Sequence, residues 1–456
     1  RLGWAGDISV FSRTATYLAD VPQFLRRYLR SMRDVQRTDG RFPDIAPLGG
    51  GFGGLLWGSA GITVPWECYQ QYGDTILLSE HYDAMKRYIQ YIIDNTIETE
   101  TNLIVQTRSW GDLCDWLGLE DEKNDKSLVW EAYFIYDLEL MAKMATVLGK
   151  VTDAEWFREL HAARKDFFNK TYIEPETGKT LFSAFVPEKK GSHIDIQTSY
   201  VLPLAFNIID EENRNKVIAN LAETVRRENT TDRGQQCPSY SLMTGFIGTS
   251  WINKALSDYG HSDLAYRLLQ QTSYPSWLYS IEQGATTIWE RLNSYTRTDG
   301  FGGNNRMNSF NHYSFGAVGA WMYNYSLGIQ RDETFPGFKQ FVLKPMPDPT
   351  GKMTYARGYY DSMYGRIESG WKVESGVIRY TFTVPANTTA TLYLPTASLR
   401  DVREKTKPVR KCKGVEFISE GNGEVVLKLL SGSYSFEVKK DYPLAARKRK
   451  KYVFVR

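Results

Sequence analysis

Several things are scarce in this chain, and each scarcity closes off a class of answer. Cysteine is rare: Cys68, Cys114, Cys237 and Cys412 are the only four in 456 residues, and no two form a CxxC pair. Zinc-ribbon spacing and a dense disulfide framework are therefore excluded, and free, mostly buried thiols are the expectation. Histidine is equally sparse at five, with no pair at metal-ligand spacing, so no metal site is expected. No apolar run approaches about 18 residues, and no membrane span is expected. The full GxxxxGK[ST] phosphate-binding loop, an HExxH helix and a GxSxG elbow are all missing, which removes the commonest signatures of nucleotide, zinc-protease and serine-hydrolase chemistry.

Net charge is small, at +3, and unevenly placed. Eight Lys and Arg residues fall within 439–456 beside a single acid, Asp441, so that segment carries +7 and the rest of the chain −4. A basic tail (441–456) on a mildly acidic body is not the basic face that nucleic acid requires, and no nucleic-acid partner is expected. Charged residues at 24% and a mean hydropathy of −0.42 are those of a folded globular chain, and they rule out disorder, collagen and coiled coil.

What the chain has in excess is aromatic surface: 14% Phe, Trp and Tyr, with 12 Trp and 29 Tyr. Such rings can be core. They also lie flat against the C–H faces of sugars and offer a polar tip to the hydroxyls.

Up to about residue 330 the apolar period is helical. Leu78, Tyr82, Met85, Ile89 and Ile92 recur at steps of three and four, as do Trp130, Phe134, Leu138, Met141, Ala145 and Leu148 before Gly149. Val217, Leu221 and Val225 mark another helix, Leu264, Leu268 and Leu269 a further one, and 14–32 and 153–168 also read as helices. Turn-rich stretches dense in Gly, Trp and Asp lie between them, at 39–60 and 109–125. After about 333 the period drops to two: Ile378, Tyr380, Phe382 and Val384, then Ala390, Leu392 and Leu394, then Tyr434, Phe436 and Val438. The expected architecture is mainly α, a helical toroid over 1–332 followed by an antiparallel β-sandwich over 333–440.

The carboxylates carry the chemistry. Asp7 lies in Gly3-Trp4-Ala5-Gly6-Asp7, Asp112 and Asp115 in a run ending at Trp116, and Glu282 and Glu290 between Ile281 and Arg291. Each stands within a few residues of Trp or Gly. Glycine admits a ligand close to the backbone, and Trp supplies an apolar wall that raises a neighbouring carboxyl pKa. Two carboxyls flanking an aromatic cleft are what glycosidic hydrolysis needs, one to protonate the leaving oxygen and one to activate water, and this hydrolytic chemistry needs no cofactor. Helix caps and turns beside core Trp are the competing reading.

The runs RLGWAGD (1–7), WGSAGITVPWECYQQYGD (57–74), GDLCDWL (111–117), LMTGFIGTSWI (242–252), YPSWLYSIEQGATTIWER (274–291) and FNHYSFGAVGAWMY (310–323) resemble, in family order, the α-L-rhamnosidases of glycoside hydrolase family 78. So do YDSMYGRIESGW (360–371) and VPANTTATLYLP (384–395). The resemblance implies an (α/α)6 barrel with a C-terminal β-sandwich, in a bacterial enzyme that hydrolyses terminal α-L-rhamnose from rhamnosides with inversion. It makes Glu290 the general base, with Glu282 as the alternative on the same stretch. Asp7 becomes a carboxylate for rhamnose hydroxyls, and Trp4, Trp57, Asp115, Trp116 and His312 surround the sugar. The family's general acid is the Glu directly before RLGW, and this sequence opens at Arg1. Ser59 stands where an Asp is common, and Leu292 where an aromatic often follows WER. A non-catalytic sugar-binding relative and an inverting glycosidase for another sugar are the rival readings. Export to the periplasm or beyond is what the family pattern favours.

Overall fold

The computed structural model describes residues 2–51, 54–107, 109, 111–302, 307–405 and 407–439, in two compact units divided between Trp321 and Met322. The division falls earlier than the 332/333 boundary expected from the change of period, because a strand at Ile329–Arg331 already belongs to the second unit's sheet. The basic tail and Trp110 lie outside the described residues.

The first unit alternates inner and outer helices. Its inner members are α1 (Ala5–Leu18), α3 (Ala60–Tyr72), α5 (Lys126–Val147), α7 (Gln197–Ala205) and α9 (Phe246–Asp258). Their outer partners are α2 (Pro22–Asp34), α4 (Thr75–Thr96), α6 (Val151–Tyr172), α8 (Glu211–Arg226) and α10 (Ser262–Gln270). Inner helices touch in chain order, and the segment Ser314–Trp321 closes the ring between α9 and α1. A short α11 (Trp277–Glu282) and a ribbon of β1 (Asn229–Thr230) and β2 (Gln236–Cys237) lie in the connections. The six-hairpin toroid is the expected fold.

Local chemistry sets the boundaries. Asp74 caps α4, its Oδ1 accepting from the N–H groups of Ile76 and Leu77 at 3.0 and 3.1 Å, while left-handed Gly73 ends α3. The helix expected across 14–32 is in fact two. Ala19 is extended, and Pro22 opens α2 in its first turn, where a missing N–H has no partner to lose. α5 is buried round its circumference, with Trp130, Tyr133, Phe134 and Asp137 inside, as a helix packed on both sides must be. Outer α8 buries chiefly one stripe, including Val217, Leu221 and Val225. Among the described residues no helix is long and apolar enough to cross a membrane. Cys68, Cys114 and Cys237 are buried free thiols, and Cys412 is half-buried and free.

In the second unit β10 (Lys407–Pro408), β9 (Val402–Glu404), β13 (Gly432–Lys439), β7 (Val377–Val384), β6 (Gly365–Glu374) and β5 (Tyr355–Ser362) form one antiparallel sheet in that order. The other sheet runs β11 (Val415–Gly421), β12 (Glu424–Leu429), β8 (Thr389–Leu394), β4 (Gln340–Leu343), β3 (Ile329–Arg331). Its β4–β8 pair is parallel, which strand alternation alone cannot reveal. The alternating apolar residues meet in register: Tyr434 opposes Phe382, Phe436 opposes Tyr380 and Val438 opposes Ile378, all buried. Phe338 contacts Phe341 beside one sheet's β4 and Tyr360 of the other's β5, so the two buried faces meet.

A buried charged pair in the toroid wall joins α5 to α6. Arg164 Nε donates to Glu131 Oε1 at 2.8 Å, a second bond joins the same two groups, and Nη1 reaches Asn102 Oδ1 at 2.8 Å. Both ends of the pair are buried. Arg164→Ala leaves Glu131 charged and unmatched in the wall, so it should cost about 3–5 kcal/mol of stability, measured by chemical denaturation.

Candidate active site

Because each inner helix is followed by an outer one that returns, the inner helices run in parallel and their N-terminal ends gather at one mouth. Trp4 precedes α1 and Asp7 lies in its first turn, Trp57 sits just before α3, and Phe246 is the first residue of α9. All four line one hollow, open to solvent, together with Leu113, Trp116, Glu290, Met307 and His312. The partial positive charge of the helix N-termini favours carboxylates there.

Backbone pairing places the long-range partners. Trp4 bridges Ile45, with Ala46 N–H donating to Gly3 O at 3.0 Å and Ala5 N–H to Asp44 O at 2.8 Å. Gly6 lets α1 lie against the wall: a Cβ there would stand 2.5 Å from the Trp57 ring. Glu290 N–H donates to Ser309 O at 2.8 Å and His312 N–H to Ile288 O at 2.9 Å, so the two segments hold each other and both side chains reach the same hollow. Trp289 packs edge-on to Phe310 beside them, at 5.3 Å. The Glu290 side chain is almost wholly buried, at 2% exposure, yet lines the hollow.

His312 Nε2 lies 2.9 Å from Asp7 Oδ1. The imidazole packs on Phe246 with ring centroids 5.0 Å apart, and its Nδ1 has no partner among the described residues. A hydroxyl-bearing ligand in the hollow would therefore meet a carboxylate, the edge of an imidazole and three indole walls.

Two expected site residues lie elsewhere. The family resemblance puts Asp115 beside the sugar, but its carboxylate turns into the protein. Oδ2 accepts from Thr198 Oγ1 at 2.5 Å and Gly245 N–H at 2.8 Å, and Oδ1 from the N–H groups of Ile247 and Gly248 at 2.9 and 3.0 Å. It caps α9, and it does not line the hollow. Burial raises its pKa, against the pull of those hydrogen bonds. Glu282 is solvent-exposed at the end of α11, away from the lining. Asp112 is exposed as well, paired with Lys126 at 2.9 Å. The Ser59 hydroxyl donates to Asp137 Oδ2 of α5 at 2.6 Å rather than lining the hollow, and Leu292 is buried.

Sequence reasoning missed Leu113, Phe246 and Met307 as lining residues. Leu113 and Phe246 stand inside runs that were already singled out, so the signal was present without a reason to choose them. Ser314 was missed too. It is fully buried and donates to Asp7 Oδ1 at 3.2 Å.

Beneath Trp116 the loop is acidic. Asp115 N–H donates to Asp121 Oδ1 at 3.1 Å. Burial and the Asp115 carboxylate push Asp121 up to about 7. Burial also pushes Glu120 up to about 7, against Lys123 and Arg227. Between pH of about 4.5 and 7 the folded chain keeps protons that the unfolded chain has released, so stability should fall as pH rises through that window. Glu120→Gln should flatten the fall by up to about 3 kcal/mol, read from denaturation midpoints against pH. Gly6→Ala should cost about 1–3 kcal/mol and displace Trp57, seen as a lower melting temperature with an altered near-ultraviolet circular dichroism band.

Comparison with known proteins agrees with this architecture. Residues 1–326 match the family model of the bacterial alpha-L-rhamnosidase six-hairpin glycosidase domain, and residues 328–408 that of the bacterial alpha-L-rhamnosidase C-terminal domain. The alpha-L-rhamnosidase of Streptomyces avermitilis is 36% identical over 440 residues, covering 96% of this chain and 38% of its own length. One from Formosa agariphila is 32% identical over 447 residues, covering 96% and 45%. The crystal structure of the Streptomyces avermitilis enzyme complexed with L-rhamnose superposes with a TM-score of 0.81 at 35% identity, over 96% of this chain and 38% of that one. The chain thus spans less than half the length of these relatives. Over its helical and sheet units alike, the chain belongs to the bacterial alpha-L-rhamnosidases of glycoside hydrolase family 78.

Proposed function

We propose that this chain carries the hydrolytic centre of an inverting α-L-rhamnosidase, acting on terminal non-reducing rhamnose of a glycoside or polysaccharide. The observation that carries the reading is the convergence of Asp7, Glu290 and His312 on one hollow walled by Trp4, Trp57 and Trp116. The relative of known structure in complex with L-rhamnose supports the sugar.

In this reading the sugar ring lies against the indoles. Its hydroxyls meet Asp7 as acceptor, beside the His312 imidazole that lines the same hollow. The C6 methyl of rhamnose lies on apolar wall, where a hydroxymethyl group would lose hydrogen bonds to water without replacement. Glu290 acts as general base, taking a proton from a water that attacks the anomeric carbon as the glycosidic bond breaks. The configuration inverts through an oxocarbenium-like transition state. The proton for the leaving oxygen comes from the carboxylic acid that the family pattern places directly before Arg1.

A leaving group that needs no protonation tests the base separately from the acid. The chain should hydrolyse 2,4-dinitrophenyl α-L-rhamnoside, releasing β-L-rhamnose first by NMR. Glu290→Gln, an isosteric change, should lower kcat by about 10²- to 10⁴-fold with an unchanged melting temperature. Full activity in that variant would remove Glu290 as base, and saturable L-rhamnose binding without turnover in the parent chain would make it a binding protein.

A further inference from the structure

Asp7 is held in an unequal way. His312 Nε2 and Ser314 Oγ both reach its Oδ1, at 2.9 and 3.2 Å, and no described residue hydrogen-bonds Oδ2. The hydroxyl donates a hydrogen bond and the imidazole lies at ion-pair distance, both on the same oxygen. They come from positions 312 and 314 of one segment, which is itself anchored. His312 N–H is bonded to Ile288 O, and Ser314 opens the tight turn Ser314–Ala317. A carboxylate with one contact can rock about its Cβ–Cγ bond, since that torsion is broad. A second contact on the same oxygen narrows that rocking.

We infer that Ser314 is a positioning residue: with His312 it fixes the plane of the Asp7 carboxylate, and so aims its other oxygen at the hollow as an acceptor for a sugar hydroxyl. Ser314 is fully buried and does not line the hollow, so it acts on the ligand only through Asp7. The inference rests on the rhamnoside reading and adds to it a residue whose contribution is orientation, not contact. Pre-orienting the acceptor lowers the ordering cost of binding and leaves the bond-breaking step to Glu290.

The test is a double-mutant cycle. Ser314→Ala should raise both KM for 2,4-dinitrophenyl α-L-rhamnoside and the inhibition constant of L-rhamnose about tenfold, with kcat within about twofold. In an Asp7→Ala background, the same change should leave kcat/KM within about twofold, because the acceptor it orients is gone. Equal losses in both backgrounds, or a loss confined to kcat, would make Ser314 a packing residue and overturn the inference. Should Ser314→Ala fail to fold in a melting experiment, Ser314→Cys keeps a weaker donor and enters the same cycle, with the same two outcomes deciding. Calorimetry of the parent chain separates the two readings. No binding of L-rhamnose removes the rhamnoside assignment and this inference with it. Binding that is insensitive to position 314 removes the inference alone.

Discussion

Parallel inner helices impose one demand on this molecule. Each brings unpaired backbone N–H groups and the positive end of its dipole to the same mouth, and those groups must be met by acceptors. The chain answers with carboxylates. Asp115 accepts three N–H groups at the start of α9. Asp125 accepts from Ser127 N–H at the start of α5, and also from the N–H and hydroxyl of Ser183. Asp7 stands in the first turn of α1 with Oδ2 free of any described partner. The acids that cap are buried and committed, whereas Asp7 is left open on one side, and that difference separates scaffold from site.

The caps also fix the walls. Asp115 ties the 111–120 loop to α9 through its side chain, and Phe246 N–H donates to Trp116 O at 2.9 Å, so Trp116 and Phe246 are held as one piece. Trp130 Nε1 secures the same loop by donating to Leu113 O at 2.9 Å. On the other side of the hollow, Gly6 brings Trp57 against α1. The walls are thus set by contacts to three inner helices, α9, α5 and α1. A ring built this way can hold a rigid aromatic cavity from segments as distant as Trp4 and His312.

Much of this was legible in advance, for a stated reason. The step of three and four over 78–92 and 130–148 is the helix period itself, and alternation at 378–384 and 434–438 is the strand period; both survive in tertiary structure because one face must be buried. The signal failed where a backbone event interrupts a pattern without changing its composition. Pro22 splits the 14–32 stretch, and the parallel β4–β8 pair follows from chain path, not from alternation. Within the site, proximity to Trp and Gly picked out Asp7 and Glu290 but equally picked out Asp115 and Glu282. Those features describe a turn near aromatic packing, and they are shared by a cap and a ligand-facing acid.

The sequence by itself determined the periods, the turn-rich loops and the acid-bearing runs among them, because these are set by local geometry and composition. Only the tertiary structure decided which acids face the hollow. Asp115 and Trp116 are neighbours in the chain, yet one points into a helix end and the other into the cavity, since successive side chains in a loop diverge and their environments come from segments more than a hundred residues away. Ser314 shows the same rule in reverse: a small residue with no distinguishing pattern acquires a role because the ring closes it onto Asp7.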